Sequence, residues 1–64
     1  MKGWIEVTSL GSGRKTLVNL KNILWVCPAQ AKGRDYAEIK TVNGSLFIEE
    51  NYDFVVSDIE EAMR

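Results

Sequence analysis

Apolar and polar residues alternate along most of this chain, and the alternation gives way to a longer period near residue 51. Trp4-Ile5-Glu6-Val7-Thr8 alternates and is rich in strand formers, with Ile5 and Val7 on one side and Trp4, Glu6 and Thr8 on the other. Gly11-Ser12-Gly13 marks a turn, and Lys15-Thr16-Leu17-Val18-Asn19 reads as the return strand of a hairpin. Residues 19–22 break the pattern and predict a tight turn or one 3₁₀ turn. Ile23-Leu24-Trp25-Val26-Cys27 is apolar throughout, the pattern of a strand buried on both faces. Pro28 cannot donate to a ladder and predicts the end of that strand. Residues 29–35 read as a mobile polar loop, and residues 36–42 as a fourth strand. Asn43-Gly44 predicts a type I′ turn, with residues 45–49 returning as the fifth strand.

The period then becomes helical. Tyr52, Val55, Val56, Ile59, Ala62 and Met63 fall on one stripe. Asn51 is a good N-cap, and Asp53 and Arg64 match the helix dipole at either end. Ser57-Asp58-Ile59-Glu60 offers a capping box for a later start. The stripe already formed by Tyr52, Val55 and Val56 favours a helix over about 52–63. These elements predict an α+β, mainly β fold: a five-stranded antiparallel meander, curled or closed into a small open barrel, with one C-terminal helix, all in a single domain over 1–64. The expected core is Ile5, Val7, Leu17, Ile39, Ile48, Val55 and Ile59.

Composition narrows the function. A chain of 64 residues buries only about 60% of its unfolded surface and has no room for a deep catalytic cleft. Eight Lys+Arg against nine Asp+Glu give a net charge of −1, whereas small nucleic-acid binders are usually basic. No stretch approaches the roughly 20 apolar residues of a membrane helix. Glu6 stands where a signal peptide needs an apolar run, so a cytoplasmic location is expected. One cysteine allows no internal disulfide, and without histidine no ordinary zinc site assembles within one chain.

Individual motifs read mostly as structure. Lys15-Thr16 after Gly11 and Gly13 lacks the glycines of a phosphate loop, since Arg14 and Ser9 occupy those positions. Asn43-Gly44-Ser45 fits the glycosylation triplet but reads as a hairpin turn. Cys27 has no histidine to activate it and reads as a small buried hydrophobe. Glu49-Glu50 and Glu60-Glu61 read as solubilising charge. Arg14, Lys15, Lys32 and Arg34 lie in two loops whose meeting would create a basic rim for phosphate or an acidic partner. Trp4 and Trp25 are candidate interface residues, because the strand at 23–27 offers apolar side chains to both faces while one helix covers only one. Either a barrel closes beneath the helix or a second chain covers the surplus.

No nucleophile–base pair can be drawn, and nothing calls for a cofactor or a metal. The residues therefore predict a non-enzymatic interaction module that binds itself, most simply as a dimer, or a larger protein. The alternative is a small nucleic-acid-binding β-domain using Arg14, Lys15, Lys32 and Arg34.

Ile5-x-Val7-Thr8-x-Leu10, a glycine turn, Leu17-Val18-Asn19-Leu20-x-x-Ile23, an Asn-Gly hairpin, Phe47-Ile48-Glu49-Glu50 and a helix containing Ile59 together resemble the small flagellar-operon FlbD family, also called SwrD. The chain is also similar to short uncharacterised proteins of Bacteroidetes and their phages that open Ile-x-Val-Thr. The resemblance covers most of the chain and implies a small β-rich fold without catalysis. Its residues are mainly of core and turn types. The chain departs from the family in a longer segment at 29–35 and in Trp25-Val26, where Ile-Glu is usual. A looser similarity in element order links it to LytTR-type DNA-binding domains, whose basic reading loops have a sparse counterpart here.

Overall fold

A computed structural model describes residues 2–64. The fold is α+β and mainly β. Its elements are β1 (Trp4–Thr8), β2 (Lys15–Asn19), a 3₁₀ turn (Leu20–Asn22), β3 (Ile23–Ala31), β4 (Arg34–Thr41), β5 (Gly44–Ile48) and α1 (Tyr52–Ala62). The five strands are antiparallel, but they form two sheets, β1-β2 and β3-β4-β5, and no closed barrel. The 3₁₀ turn takes the chain from β2 out to β3, so these consecutive strands do not pair. The end of β1 instead meets the end of β5 through a bridge at Ser9 and Ile48. There the Leu10 N–H donates to the Phe47 carbonyl (2.9 Å) and the Glu49 N–H to the Thr8 carbonyl (2.9 Å).

The core lies between the sheets and α1. It comprises Ile5, Val7, Val18, Ala37, Ile39, Ile48 and Val55. Ile59 is half-buried and packs against this cluster with Leu20, Ile23, Val26, Leu46 and Ala62. Leu17 was expected in the core and is 51% exposed. Register explains the difference: Ile5 pairs with Val18 and Val7 with Thr16, so Leu17 shares the opposite face with Glu6. The sequence Thr-Leu-Val offers two apolar neighbours, and only partner register decides which one turns inward.

Residues 29–35 are not a loop. β3 runs through Pro28 to Ala31, and β4 begins at Arg34. Pro28 is tolerated because β3 is an edge strand, paired on one side only. Lys32 and Gly33 form the two-residue turn, with φ of 53° and 76°, as a type I′ turn requires. Lys32 is the one non-glycine residue with positive φ among the described residues, a conformation that costs about 1 kcal/mol. The hairpin reads as loop in sequence because it projects past the core, and its tip is exposed on both faces.

The next turn also sits one residue earlier than expected. Thr41 pairs with Gly44, so Val42 and Asn43 are the turn residues. Neither has positive φ; Gly44 carries it instead, at 130°. The Thr41 hydroxyl accepts from the Asn43 N–H (3.2 Å) and donates to the Gly44 carbonyl (2.8 Å), stabilising this turn in place of the expected type I′.

β3 is not buried on both faces either. Its register shifts between Ile23 and Trp25, leaving Leu24 unpaired as a β-bulge. The bulge moves Ile23 onto the same face as Val26, toward the core, and leaves Leu24 and Trp25 exposed. The helix matches its expected limits. The Asn51 side chain accepts from the Phe54 N–H, and the capping box at Ser57 lies unused within α1. Val55 is its one buried residue; Tyr52 and Met63, also on the stripe, are exposed.

Ile39 is fully buried at the centre of β4, so Ile39→Ala is expected to cost about 2–5 kcal/mol in urea unfolding. Leu17→Ala is expected to stay within about 0.5 kcal/mol of the parent chain. Equal losses at the two positions would contradict the register.

Candidate interaction face

Alternation along β4 separates Ala37 and Ile39, which are buried, from Tyr36, Glu38 and Lys40, which point the other way. Pairing carries that division across the three-stranded sheet. Val26 and Leu46 flank Ile39 on the inner face, which α1 covers. On the outer face one row runs Trp25–Lys40–Ser45 and the next runs Cys27–Glu38–Phe47. Ala29 and Tyr36 form a third pair. Trp25 and Phe47 are each 46% exposed, and Leu10 joins the face beside Phe47 through its backbone bond. Among the described residues α1 makes its main contacts with β1, β3 and β4, whose inward side chains form the core, and not with β5.

Cys27 stands on this outer face and is half-buried, not the buried hydrophobe expected. Its thiol approaches Glu38 Oε1 at 3.8 Å. Partial burial and the neighbouring Glu38 carboxylate push the thiol up from its ordinary value, so it stays neutral near pH 7. A neutral thiol is a poor nucleophile and a good apolar neighbour for Trp25 and Phe47.

A second cluster holds the sheets together. Glu50 accepts from the Thr8 N–H (2.9 Å) and from the Thr8 hydroxyl (2.8 Å), and Lys15 Nζ donates to the same hydroxyl (2.9 Å). Partial burial opposes charge on Glu50. The two Thr8 bonds, the residue's own N–H and the Lys15 ammonium outweigh it and hold the carboxyl below the usual glutamate range. In the sequence Glu50 reads only as solubilising charge, because its partners lie 42 and 35 positions away and no local motif marks them. Among the described residues every buried side-chain nitrogen and oxygen has a partner.

The four basic residues are spread over two turns. Arg14 and Lys15 stand at the β1–β2 turn, and Lys32 and Arg34 at the β3–β4 tip. Lys15 is engaged by Thr8, and the Arg34 guanidinium lies over the Tyr36 ring at 5.5 Å from its centroid. The two tryptophans lie in different sheets. Trp25 sits on the outer face just described, while Trp4 lines an open groove with Lys2, Phe54 and Glu61. A cleft of about 560 Å³ opens between the β3–β4 hairpin and the start of α1, lined by Gln30, Asp35, Tyr36, Asn51 and Asp53. Gln30 Nε2 donates to Asp35 Oδ1 across 2.8 Å there. Among the described residues no three His, Cys, Asp or Glu side chains are grouped to hold a metal ion, and no helix is long and apolar enough to cross a membrane.

The Glu50 cluster sets a pH dependence. A carboxyl lowered in the folded state adds stability above its unfolded value, about 4.3, and loses it as pH falls through the folded value. The stability difference between the parent chain and Glu50→Gln is therefore expected to shrink as pH drops from 7 to 3 in urea titrations. A difference that stays constant would show that the charge of Glu50 is not what Thr8 holds. Thr8→Val, which removes the shared hydroxyl, is expected to cost about 1–3 kcal/mol at pH 7.

Comparison of the chain with family models, with curated proteins and with solved structures finds no match.

Proposed function

We propose that this chain is a non-enzymatic protein-interaction module that acts by self-association. The observation that carries the reading is the outer face of the three-stranded sheet, where Trp25 and Phe47 stand half-exposed with Leu10 and Cys27 beside them. Large exposed apolar side chains of this kind, here on either side of Glu38 and Lys40, mark interaction sites in small proteins. Large aromatics are enriched where two protein surfaces meet. The resemblance to the FlbD family, whose members have no known catalysis, supports the same reading. A nucleic-acid role has weaker support: the basic side chains are divided between two turns, and Lys15 and Arg34 already have partners.

Light scattering after size exclusion tests self-association. The mass is expected to rise above the 7.2 kDa of one chain as concentration increases from micromolar to near-millimolar. A mass that stays at one chain over that range removes self-association as the function. In a gel shift at about 150 mM salt, binding to nucleic acid is expected to be weak or undetectable, because few phosphates can be neutralised. Sub-micromolar, sequence-dependent retardation would favour the nucleic-acid alternative.

A further inference from the structure

We infer that the occupant of the outer sheet face is a second copy of this chain, packed face to face about a two-fold axis that crosses β4 at Ile39, with Glu38 of each copy against Lys40 of the other. This rests on the reading of the face as a self-association surface and specifies its geometry.

β4 is the central strand, and on its outer face Glu38 and Lys40 stand side by side with opposite sign. Among the described residues neither forms an ion pair within its own chain; the single salt bridge is Arg64 with Glu61. A two-fold contact must be self-complementary. An axis running along β4 would set Glu38 on Glu38 and Lys40 on Lys40, and like charges meeting across an interface are strongly disfavoured. An axis running across the strands at the level of Ile39 exchanges the two positions. Each carboxylate then meets an ammonium, twice by symmetry.

The same operation matches shapes. Trp25 and Ser45 lie in the Lys40 row, and Cys27 and Phe47 lie in the Glu38 row. Exchanging the rows places Trp25 over Cys27 of the other copy and Phe47 over Ser45. Each large ring then faces a small side chain, the alternation by which packed layers interdigitate. Sheets stacked this way sit about 10 Å apart with strands nearly aligned. A single-stranded nucleic acid could also stack on Trp25 and Phe47. The carboxylate of Glu38 at the centre of the face opposes a phosphate backbone; the Cys27 thiol beside it supplies no charge, and a cation such as Lys40 of the other copy does.

Charge reversal in the full chain tests the geometry. Glu38→Lys and Lys40→Glu, each alone, are expected to weaken self-association at least about tenfold by sedimentation equilibrium at low salt. The double reversal is expected to restore it to within about threefold of the parent chain. Circular dichroism and urea unfolding confirm that each variant folds; Trp25→Ser, which also removes the ring from the contact, provides a second variant if one reversal does not. Self-association unchanged by both single reversals and by Trp25→Ser would overturn this face while leaving the self-association reading intact. Failure of the double reversal to rescue would overturn the Glu38–Lys40 pairing. A parent chain that remains monomeric would remove both readings. A monomer that binds a thymidine oligonucleotide, with binding lost in Trp25→Ser, would assign the face to single-stranded nucleic acid instead.

Discussion

The carboxylate of Glu50 receives both the N–H and the hydroxyl of Thr8, and with the backbone bonds beside it that contact joins the two sheets on which the core depends. β1 and β2 form a hairpin that pairs with nothing along most of its length. A two-stranded hairpin alone is marginal in water. Its free end is joined to the second sheet over residues 47–50, where two backbone bonds and the Glu50 carboxylate converge on Thr8 to Leu10. The next residue, Asn51, caps the helix. Sheet, seam and helix cap thus follow one another in five residues. At the opposite end of β1, the Gly3 N–H donates to the Ala62 carbonyl at the end of α1 (3.0 Å). β1 is therefore fixed at one end to β5 and at the other to the helix, which places Ile5 and Val7 over Val55 and Ile48 in the core.

That geometry leaves one side of the molecule without cover. α1 is 11 residues long, roughly 16 Å of helix, and it packs against β1, β3 and β4 on the core side. Among the described residues no further helix or strand remains for the outer side of β3-β4-β5. Barrel closure would have required β2 to pair with β3, and the 3₁₀ turn prevents that by carrying the chain away at Leu20–Asn22. Asn19 caps this turn, its side chain accepting from the Lys21 N–H. A local capping preference therefore sits where β2 would otherwise lead directly into pairing with β3.

Much of the fold is legible in the sequence, and the limits have specific physical origins. Period and capping are local properties, so β1, the 3₁₀ turn and α1 with its Asn51 cap are readable from neighbours alone. Ile39, Ile48 and Val55 are readable as core because each lies on an unambiguous apolar side. Leu17 is misread because its neighbour Val18 is also apolar, and the choice between them belongs to β1. The segment at 29–35 is misread because its polarity reflects exposure, not lack of pairing, and because proline is excluded from central strands but not from an edge. Asn43-Gly44 is the right signal placed one residue late: the glycine supplies positive φ after the turn, not within it. Of the candidate residues, Trp25 falls on the open sheet face, while Glu38, Lys40 and Phe47 are visible only once strand register puts them in the same rows.

The bulge at Leu24 connects these observations. A continuous β3 would place Ile23, Trp25 and Cys27 on one side and Leu24 and Val26 on the other. The inserted residue lets Ile23 and Val26 both turn toward the core while Trp25 and Cys27 turn outward together. Without it, the phase that buries Val26 against Ile39 would leave Ile23 beside Trp25 on the exposed side, and the core would lose a branched side chain at its lower rim. The bulge therefore serves the interior and the surface at once. It completes the hydrophobic cluster beneath β4, and it leaves the outer face with large and small side chains alternating around a central pair of opposite charges.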